Sequence, residues 1–177
     1  MTARLAPTIL AIGLLTAALT ACDATPDPVE TPPAFASEEE AFAAAEETYR
    51  AYVDAVNEVD LSDPSSFDPV FELTTGELNA SDRRSFSDWH AEGYVKSGAA
   101  SVVEVRSVGV NESYTSVTID VCYDVSQVKV VDENGASLVG ADRPDIQPLR
   151  IFLSRSATAE PTLRVSSIES SGASLRC

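Results

Sequence analysis

An α+β domain is what this chain predicts, and three observations predict it. A capped amphipathic pattern follows Ser37, with apolar residues three and four positions apart. From Ala99 onward the apolar period becomes two, the repeat of a half-buried strand. Among the strands lies Asp132-Glu133-Asn134-Gly135, whose Asn-Gly pair signals a tight hairpin. Helices first and an antiparallel sheet afterwards give an α+β order, in which the long helix covers one face of the sheet.

The elements follow in order. Leu5 to Ala21 carries no charge, and Arg4 is the only charged side chain before Asp23. The run is shorter than the roughly 20 apolar residues that a spanning helix needs, and it contains Pro7 and Gly13. A base in front and small residues behind make the pattern of a secretory signal. Leu19, Thr20, Ala21 and Cys22 resemble a bacterial lipobox: a branched apolar residue, two small residues, then cysteine. That resemblance implies a lipoprotein signal peptide over residues 1–21, cleaved before a Cys22 whose thiol carries diacylglycerol. Each buried methylene of an acyl chain contributes about 0.8 kcal/mol, so two or three chains anchor durably. It places the protein on the extracytoplasmic face of a bacterial plasma membrane. Residues 22–36 hold Pro26, Pro28, Pro32 and Pro33, which deny both helix and strand and make a tether. Two lysines against ten arginines, with abundant alanine, point to an actinobacterial genome.

The domain proper is read over residues 37–177. Ser37 and Glu40 form a capping box, and Phe42, Ala45, Tyr49, Tyr52, Val53, Val56 and Val59 continue the stripe to a helix end near Asp60. Glu46, Glu47, Asp54 and Glu58 lie on the opposite, solvated face. A short helix is expected at Asp68-Pro69-Val70-Phe71, capped by Asp68. A third follows Asn79 or Ser81 and runs through Phe86 and Trp89 to Gly93. Strands are expected over Val102 to Val110, then from Ser116 to Val125 with a continuation through Val128 and Val130. The hairpin returns through Ser137 to Val139, and two more strands fit Leu149 to Arg155 and Leu163 to Ile168, with a turn over Ala157 to Pro161. In the strand after Ser116, Val117, Ile119, Val121, Tyr123 and Val125 take one face, while Asp120, Cys122 and Asp124 take the other, away from the core.

The chain has 28 acidic and 12 basic residues, for a net charge of −16. Fifteen of the acids fall in residues 23–80 beside one base, Arg50. Such a balance repels polyanions and excludes nucleic acid as a partner. With Cys22 acylated, Cys122 and Cys177 remain, and an oxidising compartment favours a disulfide between them. That bridge fastens the tail to the outer face of the sheet. One histidine and no clustered ligand spacing give no metal site, and no cofactor motif is present.

The element order over residues 37–170 is similar to the NTF2-like, cystatin-like superfamily, in which a curved sheet wraps an N-terminal helix into a cone. The resemblance implies a cone mouth where Tyr49, Tyr52, Trp89, His90 and Tyr94 converge on a pocket. The reading it favours is a non-catalytic module that takes a small apolar ligand or docks onto another envelope protein. A sheet-to-sheet homodimer is compatible with it. No catalytic residue is assigned, because no inward-facing position carries an acid. The alternative is an envelope enzyme of isomerase or cyclase type that uses a cone-lining histidine or acid.

Overall fold

A computed structural model describes residues 35–155, 162–172 and 175–177. The expected signal peptide, Cys22, the expected tether up to residue 34 and the expected turn at 157–161 lie outside the described residues.

Three helices pack on an antiparallel sheet, as the patterning requires. Helix α1 is Glu38–Asn57, α2 is Asp68–Leu73 and α3 is Gly76–Ala91; a 3-10 turn, Pro64–Phe67, runs into α2. Strands β2 (Ser101–Val110), β3 (Ser116–Asp124), β5 (Ile146–Arg155) and β6 (Leu163–Ser170) form a four-stranded sheet in the order β2-β3-β5-β6. Strands β1 (Val95–Ser97) and β4 (Lys129–Val131) pair in a separate two-stranded sheet.

The N-terminus of α1 is capped as expected. Ser37 Oγ accepts from the Glu40 N–H at 3.1 Å, while the Glu40 carboxylate accepts from the Ala36 N–H at 2.8 Å. The helix ends at Asn57, three residues before the expected Asp60, because Asn57 is used for a tertiary tie. Its side chain donates to the Ala100 carbonyl at 2.9 Å and accepts from the Ala100 N–H at 2.8 Å. Lys96 Nζ donates to the Asn57 carbonyl at 2.9 Å, which satisfies an orphan acceptor of the helix end.

Several other boundaries are corrected. The cap expected at Asp68 is made five residues earlier, where Asp63 accepts from the Ser65 N–H at 3.0 Å and Pro64 opens the 3-10 turn. Helix α3 begins at Gly76 rather than after Asn79 or Ser81. Asn79 is not its cap; it donates to the Phe71 carbonyl at 2.9 Å and to Thr74 Oγ1 at 2.8 Å, tying α3 to the end of α2. The continuation past Val125 is broken by a turn at Ser126 and Gln127, so β4 leaves the main sheet and takes β1 as its neighbour. β1 has no counterpart in the sequence reading. The expected return over Ser137 to Val139 is a single bridge, Val131 to Ser137, closed by the Leu138 N–H donating to the Val130 carbonyl.

One face of the sheet is the core. Ala41, Ala45, Tyr49, Tyr52 and Val53 of α1 bury against Val117, Ile119 and Val121 of β3, Ile151 and Leu153 of β5, and Leu163 and Val165 of β6. Burying a residue such as Ile151 contributes about 1.5–3 kcal/mol. The edge at β6 is met by the α2–α3 junction, where Thr74 bridges to Val165 and the Thr75 N–H donates to its carbonyl at 2.9 Å. The edge at β2 is irregular. Its register against β3 shifts once between Val102 and Glu104 and again between Ser107 and Gly109. Val103 and Val108 are the extra residues of these bulges, and both are exposed.

The outer face of the sheet is closed by a disulfide. Cys122 and Cys177 are bonded, with Cα atoms 5.6 Å apart. Cys122 was expected on an open polar face; it is buried, as is Leu175, two residues before Cys177 in the tail. Asp120 lies on this face, as expected, yet is also buried. It takes both ends of the Arg150 fork, at 2.8 and 2.9 Å.

Candidate functional site

Two arrangements of side chains bear on function: a polar cluster inside the helix–sheet interface and a groove on the outer side of α3. The interior cluster begins with Tyr49 and Tyr52, which the three-residue spacing of α1 sends toward the sheet. Their rings stack with centroids 6.0 Å apart, and both residues are buried. Burial pushes both phenols well above the ordinary tyrosine range, with Tyr123 of β3 adding to the effect.

The fourth member is Asp82. With α3 starting at Gly76, Leu78, Asp82, Phe86 and Trp89 share one helical stripe, and Leu78, Phe86 and Trp89 pack on the core. Asp82 therefore points at α1. Its Oδ2 is buried with no hydrogen-bond partner among the described residues. Loss of solvent pushes its carboxyl from the ordinary 3.8 up to about 6, and interaction with the Tyr52 hydroxyl holds the rise back. The sequence reading found no inward-facing acid; the structure provides one.

The five residues expected to converge are divided. Tyr49 and Tyr52 belong to the interior cluster. Trp89 packs edge-on against Phe86, with centroids 6.0 Å apart, and Tyr94 is half-buried at the rim of the core. His90 faces the other way. Its Nδ1 lies 2.7 Å from the Leu61 carbonyl, which only accepts, so Nδ1 carries the proton.

His90 lines a groove of about 260 Å³ with Pro64, Phe67, Phe71, Arg83 and Ser87. The Arg83 guanidinium carbon sits 4.1 Å from the Phe71 ring centre, and Arg83 Nε donates to Asn79 Oδ1 at 3.0 Å. A second groove of about 350 Å³ runs along Ala44, Thr48, Ala51, Leu73 and Leu163. Neither groove is lined by Tyr49, Tyr52, Trp89 or Tyr94. Among the described residues there is no cluster of three metal-ligating side chains, and no helix is long and apolar enough to cross a membrane.

No protein-family model matches the chain. No curated protein matches it either. Solved structures similar to it include the intermembrane space region of the chloroplast protein ARC6, at 13% identity over 72% of this chain and 94% of that one, TM-score 0.49. A protein of Novosphingobium aromaticivorans described as an aromatic ring hydroxylase aligns at 14% identity over 76% and 95%, TM-score 0.49. VirB8 of Agrobacterium tumefaciens aligns at 11% identity over 77% and 94%, TM-score 0.42. These values are too low to assign an activity to this chain.

Proposed function

We propose that the protein is a non-catalytic interaction module of the bacterial envelope, held to the outer side of the plasma membrane through acylated Cys22 and a proline-rich tether, and carrying an NTF2-like domain. The anchor rests on the lipobox-like Leu19 to Cys22, and the Cys122–Cys177 bridge agrees with an oxidising compartment. The observation that carries the interaction role is the occupied interior. Tyr49 and Tyr52 fill the space between α1 and the sheet, so recognition falls to the surface. Of the exposed large apolar residues Val95, Val103, Val108, Leu138 and Ile146, the two on the β2 edge, Val103 and Val108, are the ones assigned to a partner.

Two experiments test this reading. Replacing Cys22 by Ser is expected to move the protein from the membrane fraction to the soluble fraction; retention at the membrane would remove the anchor. A photo-crosslinking residue at position 103 or 108, in intact cells, is expected to capture a second envelope protein. Capture only from positions on the helices would overturn the assigned face.

Asp82 favours a second reading, an enzyme that uses the carboxyl beside Tyr52 as its acid or base. Expression of Asp82→Asn in a strain lacking the protein separates the two. Full restoration of the wild-type phenotype excludes the enzyme, whereas a stable variant that fails to restore it excludes the non-catalytic role.

A further inference from the structure

We propose that the groove between α3 and the Pro64–Phe71 segment binds a carboxylate carried on a flat apolar group, with Arg83 taking the anion and His90 accepting a hydrogen bond from a hydroxyl at the far end. This does not depend on the interaction role, since it concerns a different face from β2.

The argument starts from Arg83. The described ion pairs join Arg50 to Glu46, Arg106 to Glu104 and Arg150 to Asp120. Arg83 has no acid partner among the described residues, although the chain holds 28 acids. Its guanidinium is nevertheless held. Phe71 supports it from below at 4.1 Å, and Asn79 Oδ1 accepts from Nε at 3.0 Å. Asn79 is itself fixed by its two donor bonds to Phe71 and Thr74. Only Nε is used in this way, so the two terminal nitrogens remain as a preset fork, the geometry that fits a carboxylate.

The rest of the groove complements such a ligand. Phe67 and Phe71, with centroids 6.4 Å apart, give an aromatic floor, and Pro64 gives an apolar rim. About 260 Å³ is room for a one- or two-ring molecule, just under the roughly 300 Å³ at which small-molecule sites usually begin. At the other end, the His90 Nδ1–H donates to the Leu61 carbonyl at 2.7 Å. With a proton held on Nδ1, Nε2 is the acceptor of the neutral tautomer, unused among the described residues, and in that form it accepts from a hydroxyl.

The test is calorimetric titration of the full, disulfide-bonded chain in detergent micelles with 6-hydroxy-2-naphthoate, 2-naphthoate and 2-naphthamide. The acid is expected to bind at least about tenfold more tightly than the amide, as a charge-assisted bidentate contact requires. The hydroxy acid is expected to gain a further factor of about three to ten over the plain acid. Arg83→Gln should abolish the preference for acid over amide, and Arg83→Lys should restore part of it. His90→Phe should abolish only the preference for the hydroxyl. Arg83 is exposed, so its variants are expected to fold, and titration in the same micelles separates site binding from uptake by detergent. Equal binding of acid and amide, an unchanged preference in Arg83→Gln, or no heat from any of the three at millimolar concentration overturns the site. A tripeptide ending in phenylalanine presents the same carboxylate from a chain terminus. Tighter binding of the peptide assigns the site to chain ends, and tighter binding of the naphthoates assigns it to free acids.

Discussion

At the scale of single residues, Asp82 is where stability and pH meet. Its folded carboxyl titrates near 6, above the ordinary 3.8, so the native state holds the proton more tightly than the unfolded chain. Below about pH 4 both states are protonated and the residue is neutral in its effect. As pH rises from about 4 to 6 the unfolded chain ionises first, and native stability falls; above about pH 6 the whole cost is present. Asp82 is only partly buried, so solvent screening reduces that cost to about 1 kcal/mol. Asp82→Asn is therefore expected to gain about that much at pH 7.5 and nothing at pH 3.5, read from urea unfolding at the two values. A gain equal at both would show that ionisation is not the cause. The role of Asp82 was legible in principle. Leu78, Asp82, Phe86 and Trp89 are spaced for one helical face, but Asn79 and Ser81 both look like caps. Starting the helix there puts Asp82 in a first turn, where an acid is ordinary. The true start, at Thr75 and Gly76, is set by pairing to Val165, a tertiary contact that no local spacing announces.

At the scale of elements, local signals located most helices and strands but not their junctions. The Ser37 cap and the stripe of α1 were readable because capping chemistry and periodicity act within one turn. Ser37→Ala is expected to cost about 1 kcal/mol, measured by thermal unfolding. β1 was not readable, since three residues, Val95 to Ser97, show no period and exist as a strand only because β4 lies beside them. Their crossing leans on Gly98. It adopts φ +75°, and a Cβ there would lie 1.9 Å from the Gln127 carbonyl oxygen. Gly93 has a similar φ of +67° with open space around it. Gly98→Ala is expected to lose at least about 3 kcal/mol, and Gly93→Ala only about 1 kcal/mol, the conformational part alone. Equal losses would mean that the close approach at Gln127 relaxes freely.

At the scale of the whole molecule, the disulfide decides how the second face of the sheet is closed. Composition and compartment made the Cys122–Cys177 pair legible, because two thiols remained after Cys22. That Cys122 would be buried was not legible, since alternation only says which face a residue takes, and the cover comes from the tail. The bond joins residues 55 apart in sequence. On the chain-entropy account it contributes about 4 kcal/mol, so the Cys122→Ser, Cys177→Ser variant is expected to unfold at a clearly lower urea concentration. A midpoint unchanged by both substitutions would mean that Leu175 packs without the bridge. Inside the helix–sheet interface, Tyr49 and Tyr52 face inward and fill the space they were expected to line, while Trp89, His90 and Tyr94 do not join them there.

The two bulges of β2 bear on crowding. Chains tethered to one surface meet at a far higher effective concentration than chains in solution, and an open strand edge is then a seed for polymerisation. Val103 and Val108 each put β2 half a pleat out of phase with a regular neighbour. A second strand laid along it keeps step over residues 104–107 and then presents the wrong face. Growth from molecule to molecule along this edge is interrupted, so under the anchoring proposed above a densely populated membrane would remain a field of separate folded domains.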